Sequence, residues 1–121
     1  MKKLFGLALL ALTFLANPAH AVNCFWVGGT GTWDNTAITH WAPTTGAAAT
    51  GCQTSNAAPA TGDTVVFDAN SGGGTVTAAS SINGLSLVSI TSGAFTGTLD
   101  FSANNPSMTF TGSAGFAASG T

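Results

Sequence analysis

Four apolar pairs, Val65/Phe67, Leu85/Leu87, Leu99/Phe101 and Met108/Phe110, each stand two positions apart. Residues i and i+2 of an extended chain point to the same face of a strand. Turn formers separate the pairs: Gly72-Gly73-Gly74, Asn83-Gly84, Ser92-Gly93, Asn104-Asn105-Pro106 and Gly112-Ser113. The pattern predicts strands over residues 64–67, 75–78, 82–90, 96–101 and 107–111, after an aromatic strand at 23–27. No window after residue 22 repeats apolar residues at i, i+3, i+4 and i+7. Dense Gly and β-branched residues disfavour helix there as well. The expected class is all-β.

Two arrangements suit short strands joined by small turns. One is a short right-handed β-solenoid and the other a β-sandwich. Small polar residues between the apolar pairs favour the solenoid, because Thr, Ser and Asn stack from coil to coil and Gly fits the corners. Residues 115–121 hold no recognisable polar cap. The strand series is therefore expected to be incomplete at its C-terminal end, or to use that end in assembly.

The first 21 residues read differently. Met1-Lys2-Lys3 is a positive start, Leu4 to Leu15 is an uncharged apolar run, and Pro18 precedes Ala19-His20-Ala21. This is the order of a secretory signal helix with an A-x-A cleavage site. The run is too short for a spanning helix, which takes about 20 apolar residues. Cleavage after Ala21 would leave a chain starting at Val22, exported to the periplasm, the outer surface or the medium. That chain has no Lys, Arg, Glu or Tyr, and its charged side chains are Asp34, Asp63, Asp68 and Asp100. Phosphate backbones and anionic lipids are held by Lys and Arg, so neither nucleic acid nor a charged membrane surface is an expected partner. No other stretch is apolar enough to span a membrane.

Cys24 and Cys52 form an even pair in an exported chain, which favours a disulfide over two free thiols. A metal pair fits poorly, since His40 is the sole histidine after residue 21 and no Cys-x-x-Cys spacing exists. The bond would staple residues 42–61, a low-complexity stretch rich in Ala, Thr, Gly and Pro. The expected organisation is a signal peptide at 1–21, an aromatic, disulfide-tied capping region at 22–61, and solenoid-like strands at 62–121.

Two blocks carry a family resemblance. The first runs Phe25-Trp26-Val27-Gly28-Gly29-Thr30-Gly31-Thr32-Trp33-Asp34 and closes with His40-Trp41. The second runs from Gly62-Asp63-Thr64-Val65-Val66-Phe67-Asp68 through Gly72-Gly73-Gly74-Thr75-Val76-Thr77. Together they resemble the autotransporter-associated β-strand repeat of secreted passenger domains, and also β-rich structural proteins of phage virions. The resemblance covers residues 25–80. It implies a β-solenoid used in adhesion, display or structure, with no functional residues to carry over. The chain departs from that pattern in its insert around Cys52, and it has neither a long repeat array nor a translocator barrel.

Candidate chemistry is sparse. Asp68-Ala69-Asn70-Ser71-Gly72 begins like a calcium loop, but its twelfth position is Ala79 where a bidentate Glu is needed. An Asx-type turn is the simpler reading, with weak calcium binding at Asp63 and Asp68 as the alternative. Asp34 and His40 lack a nucleophile-elbow serine; Asp34 is expected to cap the turn after Trp33, and His40 to pack beside Trp41. Trp26, Trp33 and Trp41 are candidate ligand-stacking aromatics for a sugar, but core packing as an aromatic plug is the favoured role. The sequence thus points to a secreted or cell-surface, non-catalytic structural or adhesive β-rich module with no cofactor. The alternative is a carbohydrate-binding module or phage-type appendage recognising surface glycans. The expected partners are surface glycans or other β-solenoid segments.

Overall fold

The computed structural model describes residues 21–117. All but the last residue of the expected signal peptide, and residues 118–121, lie outside that range. Eight strands make up the fold: β1 (Asn23–Trp26), β2 (Gly31–Trp33), β3 (Trp41–Ala42), β4 (Thr64–Val66), β5 (Thr75–Ala78), β6 (Ser86–Thr91), β7 (Thr98–Asp100) and β8 (Thr109–Ala117). Two single 3₁₀ turns, Ala69–Ser71 and Ser80–Ile82, are the only helical pieces among the described residues. The class is all-β, as the alternation predicts.

The strands form a five-stranded sheet of order β3-β1-β4-β6-β8 and a three-stranded sheet of order β2-β5-β7. From β4 onward, successive strands fall alternately in the two sheets. Neighbours are parallel throughout, except for β3, which pairs antiparallel with β1 through Phe25↔Ala42 and Trp26↔Trp41. Parallel neighbours need a crossover between them, and here the strand of the other sheet supplies it.

In the larger sheet, Cys24 faces Val65, Val65 faces Ile90, and Ile90 faces Phe116. This apolar column is fully buried at Cys24, Val65 and Ile90, while Phe116 at its end is 46% exposed. The i, i+2 pairs grade in the same direction. Val65/Phe67 and Leu85/Leu87 are buried, whereas Leu99/Phe101 and Met108/Phe110 only pack against the core's edge.

The other end is closed by aromatic side chains. Trp26, Trp33, Trp41 and Phe67 are all fully buried. Trp41 meets Trp26 edge-on at 5.1 Å between centroids and Trp33 at 5.5 Å. Phe67 lies within 6.4 Å of all three indoles. Edge-to-face geometry at these separations is favourable beyond simple area burial.

The expected disulfide is present: Cys24 and Cys52 are bonded, with Cα atoms 5.0 Å apart and both residues buried. It ties the strand-free segment 43–61 to β1. Gly51 helps to seat that segment, donating its amide to the Trp41 carbonyl at 2.8 Å. Its φ is +85°, and a Cβ there would collide with the backbone of Asn56. Both the left-handed conformation and the collision oppose a side chain. Gly51→Ala is expected to lower unfolding free energy by about 1–3 kcal/mol, read from the midpoint of urea denaturation.

Some strand positions differ from the sequence reading. The composition of residues 28–33 predicts a turn running into a loop, but Gly31–Trp33 is a strand held by β5 through Gly31↔Val76, Thr32↔Thr77 and Trp33↔Ala78. The strand expected from Ile82 starts at Ser86. Ile82 ends a 3₁₀ turn, and Gly84 at φ +82° redirects the chain. The last strand runs on to Ala117, passing through the Gly112-Ser113 turn signal with a register shift opposite Leu87 and Ser89.

Candidate functional site

The three tryptophans are placed by strand ends. Trp26 closes β1, Trp33 closes β2 and Trp41 opens β3. An indole that stacks on a sugar must offer a free face, and all three are at 0% exposure. They serve as core, which corrects their candidacy as ligand-stacking residues. The Trp26 Nε1–H donates to the Gly29 carbonyl at 2.9 Å. His40 stacks on Trp26, at 4.5 Å and 8° between ring planes, rather than beside Trp41 as expected. Its Nδ1 donates to the Val27 carbonyl at 2.9 Å, since that oxygen can only accept. Its far edge lies against Gly31, where a Cβ would overlap the ring. His40 is thereby packed, half-buried, against the aromatic end.

Three of the four aspartates cap local turns, and Asp68 also reaches Thr45. Asp34 accepts from the Thr36 amide at 2.8 Å, the Thr36 hydroxyl at 3.0 Å and the Ala37 amide at 2.5 Å, the cap that its sequence position predicts. Burial pushes its carboxyl up, but these bonds and the nearby His40 outweigh that effect, and the group sits below the usual carboxylate range. Asp68 accepts from the Asn70 amide at 2.8 Å and the Thr45 hydroxyl at 2.5 Å, while its own amide donates to the Ser71 hydroxyl at 2.9 Å. Asp100 accepts from the Ser102 hydroxyl at 2.6 Å and amide at 2.8 Å, which hold it below its ordinary value.

Asp63 is different. It is 2% exposed and reaches across the chain. Its carboxylate accepts from the Ala60 amide at 2.7 Å, from the Val22 amide at 3.1 Å and from the Gln53 side-chain amide. The Cys24 sulfur lies 3.8 Å away; as a disulfide sulfur it has no proton to donate, so this is a packing contact. Asp63 and Asp68, paired above as a calcium alternative, serve separate sets of donors. Among the described residues, no three His, Cys, Asp or Glu side chains gather as a metal site would require.

An open apolar cavity lies at the β8 end. Phe101, Pro106, Met108, Phe110 and Phe116 line a cavity of about 410 Å³. Phe101 and Phe116 meet edge-on at 6.5 Å. Among the described residues, β8 pairs with β6 along one edge and with no strand along the other. The sequence predicts an uncapped end but does not identify these residues as its lining. The spacing of Met108/Phe110 and Leu99/Phe101 marks strand faces without telling a buried strand from one at the core's edge.

Among the described residues, no helix is long and apolar enough to cross a membrane. Comparison with family models, with curated proteins and with solved structures found no match.

Proposed function

We propose that this chain is an exported, non-catalytic structural or adhesive module, built as a short β-solenoid whose C-terminal end receives a further β-segment. The observation that carries the reading is the contrast between the two ends of the strand stack. One end is filled by the indoles and edged by the antiparallel β3. The other presents, among the described residues, the bare edge of β8 and a half-exposed aromatic cavity. Unpaired strand edges beside exposed apolar side chains are templates for strand addition.

Several features support the solenoid form. Partners recur 25 residues apart in one sheet (90 − 65) and 23 in the other (99 − 76), so a coil returns to its own face at nearly constant length. The longer interval from Cys24 to Val65 accommodates the disulfide-tied excursion. Crossover connections between parallel strands are almost always right-handed, which gives the coil its proposed hand. The likeness of residues 25–80 to autotransporter-associated β-strand repeats adds to the same reading. The aspartates engaged in turn capping and the buried Asp63 support a role without acid–base chemistry.

The test is self-association. At high concentration the chain from Val22 onward is expected to dimerise through β8 in sedimentation equilibrium. Phe116→Asp is expected to leave it monomeric with an unchanged far-ultraviolet spectrum. A chain that stays monomeric, with β8 amides exchanging no differently at low and high concentration, would defeat the reading.

A further inference from the structure

Asp63 is a buried carboxylate in a chain that, from Val22 onward, contains no Lys or Arg. A buried charge is costly unless it is paired. The donors around it, the amides of Ala60, Val22 and Gln53, are all neutral. His40 is committed elsewhere, to Val27 and Trp26. One other cation is available to such a chain, the ammonium of a new N-terminus.

The atom that would carry it is already in place. The Val22 nitrogen lies 3.1 Å from Asp63 Oδ1. The backbone fixes it there: the Val22 carbonyl accepts from the Thr64 amide at 2.9 Å, Asn23 is in register with Thr64, and Cys24 is tied to Cys52. The preceding residue, Ala21, is exposed and ends the Ala19-His20-Ala21 motif.

We propose that cleavage of the Ala21–Val22 bond places a new α-ammonium on Asp63, so that export processing completes a buried ion pair and locks the N-terminal end of the fold. The inference rests on reading residues 1–21 as a removable export signal. Hydrolysis consumes one water, leaves the carboxylate on Ala21 and the amine on Val22, and requires a processing peptidase. The amine takes up a proton, its ordinary pKa being about 7.7–8.0. The neutral hydrogen bond at this position then becomes a charge-assisted one. Asp63 is the ionisable group that faces the Val22 nitrogen; Gln53 and Ala60 are neutral, and the disulfide does not titrate. The ammonium should therefore titrate above its ordinary range. Its contribution is fully present below about pH 7.7 and is lost as pH rises through the raised value.

Only a cut at this bond sets the new charge opposite Asp63. A terminus one residue earlier moves the charge off Asp63, and one residue later removes the nitrogen that meets it.

The experiment has two stages. Mass analysis of the exported protein fixes its first residue. A terminus other than Val22 overturns both the cleavage reading and the ion pair. With Val22 first, the folding equilibrium constant is compared for the free, the Nα-acetylated and the Ala21-extended chains, each with Asp63 and with Asp63→Asn. The free chain is expected to exceed the other two about tenfold, the usual difference between a charged and a neutral hydrogen bond. That advantage is expected to disappear in the Asp63→Asn background. Equal constants for the three Asp63 chains overturn the ion pair while leaving the cleavage reading intact. Should the Asp63→Asn variant fail to fold, NMR titration of the α-amine in the otherwise native chain decides. A midpoint above the ordinary range sustains the pair, and one inside that range overturns it.

Discussion

Phe67→Ala is expected to lower unfolding free energy by about 3–5 kcal/mol, a large part of the roughly 5–15 kcal/mol available to a small domain. The ring is fully buried and touches all three indoles, and it meets Phe95 at 5.3 Å. It joins the indoles to Phe95, so its removal leaves a cavity bounded by large rings that cannot collapse together. The indoles report the loss directly. Denaturant titration followed by their fluorescence should show an earlier midpoint, and the native emission should shift as the cavity loosens the packing. Ile38→Ala, at a side chain already 36% exposed, is the matched control and should change stability by no more than about 0.5 kcal/mol. Equal midpoints for the two variants would mean that the aromatic end does not carry the core.

The second large effect is expected from the disulfide. Replacing Cys24 and Cys52 together by Ala should cost about 3–4 kcal/mol by the loop-closure argument. The structure adds a reason why this loop depends on its bond. Segment 43–61 contains no strand. Its backbone bonds are mostly internal, such as the Cys52 amide to the Ala57 carbonyl at 2.9 Å and the Asn56 amide to the Gln53 carbonyl at 2.8 Å. Without the sulfur link, the segment would hold to the body chiefly through Thr45, Gly51, Gln53 and Ala60. Limited proteolysis of the double variant should therefore cut first within 43–61, before the strands are lost. An unchanged denaturation midpoint and an uncut loop would show that those polar contacts suffice.

The strands after residue 63 are legible in the sequence because each is a local alternation bounded by strong turn residues. Residues 75–78 illustrate this, since the expected and observed bounds coincide. β2 is not legible, because Gly31-Thr32-Trp33 has the composition of a turn and becomes extended only through its ladder to β5, 45 residues further along (76 − 31). Such tertiary override of local preference is common in strands. The end of β8 is hidden for a related reason. Gly112 sits so close to the Val88 carbonyl that no other residue fits, so a glycine that signals a turn locally here permits a close approach. The site residues divide in the same way. Asp34 declares its cap in its own sequence neighbourhood. Asp63 looks like one half of a Gly-Asp turn, and its burial depends on Val22 and Gln53, which are remote in sequence. The tryptophans are visible as a group, but only the packed fold distinguishes a plug from a platform.

The two edges of the larger sheet set a limit on stoichiometry. Endless head-to-tail growth requires two different, mutually complementary surfaces on every subunit. On one side stands β3, two residues long and running against its neighbour, which is a poor template for a parallel strand. On the other stands β8, nine residues long and with no strand on its outer edge among the described residues. A subunit so made can begin a column or meet a twin face to face. The association proposed at β8 is therefore expected to saturate at a closed pair instead of propagating.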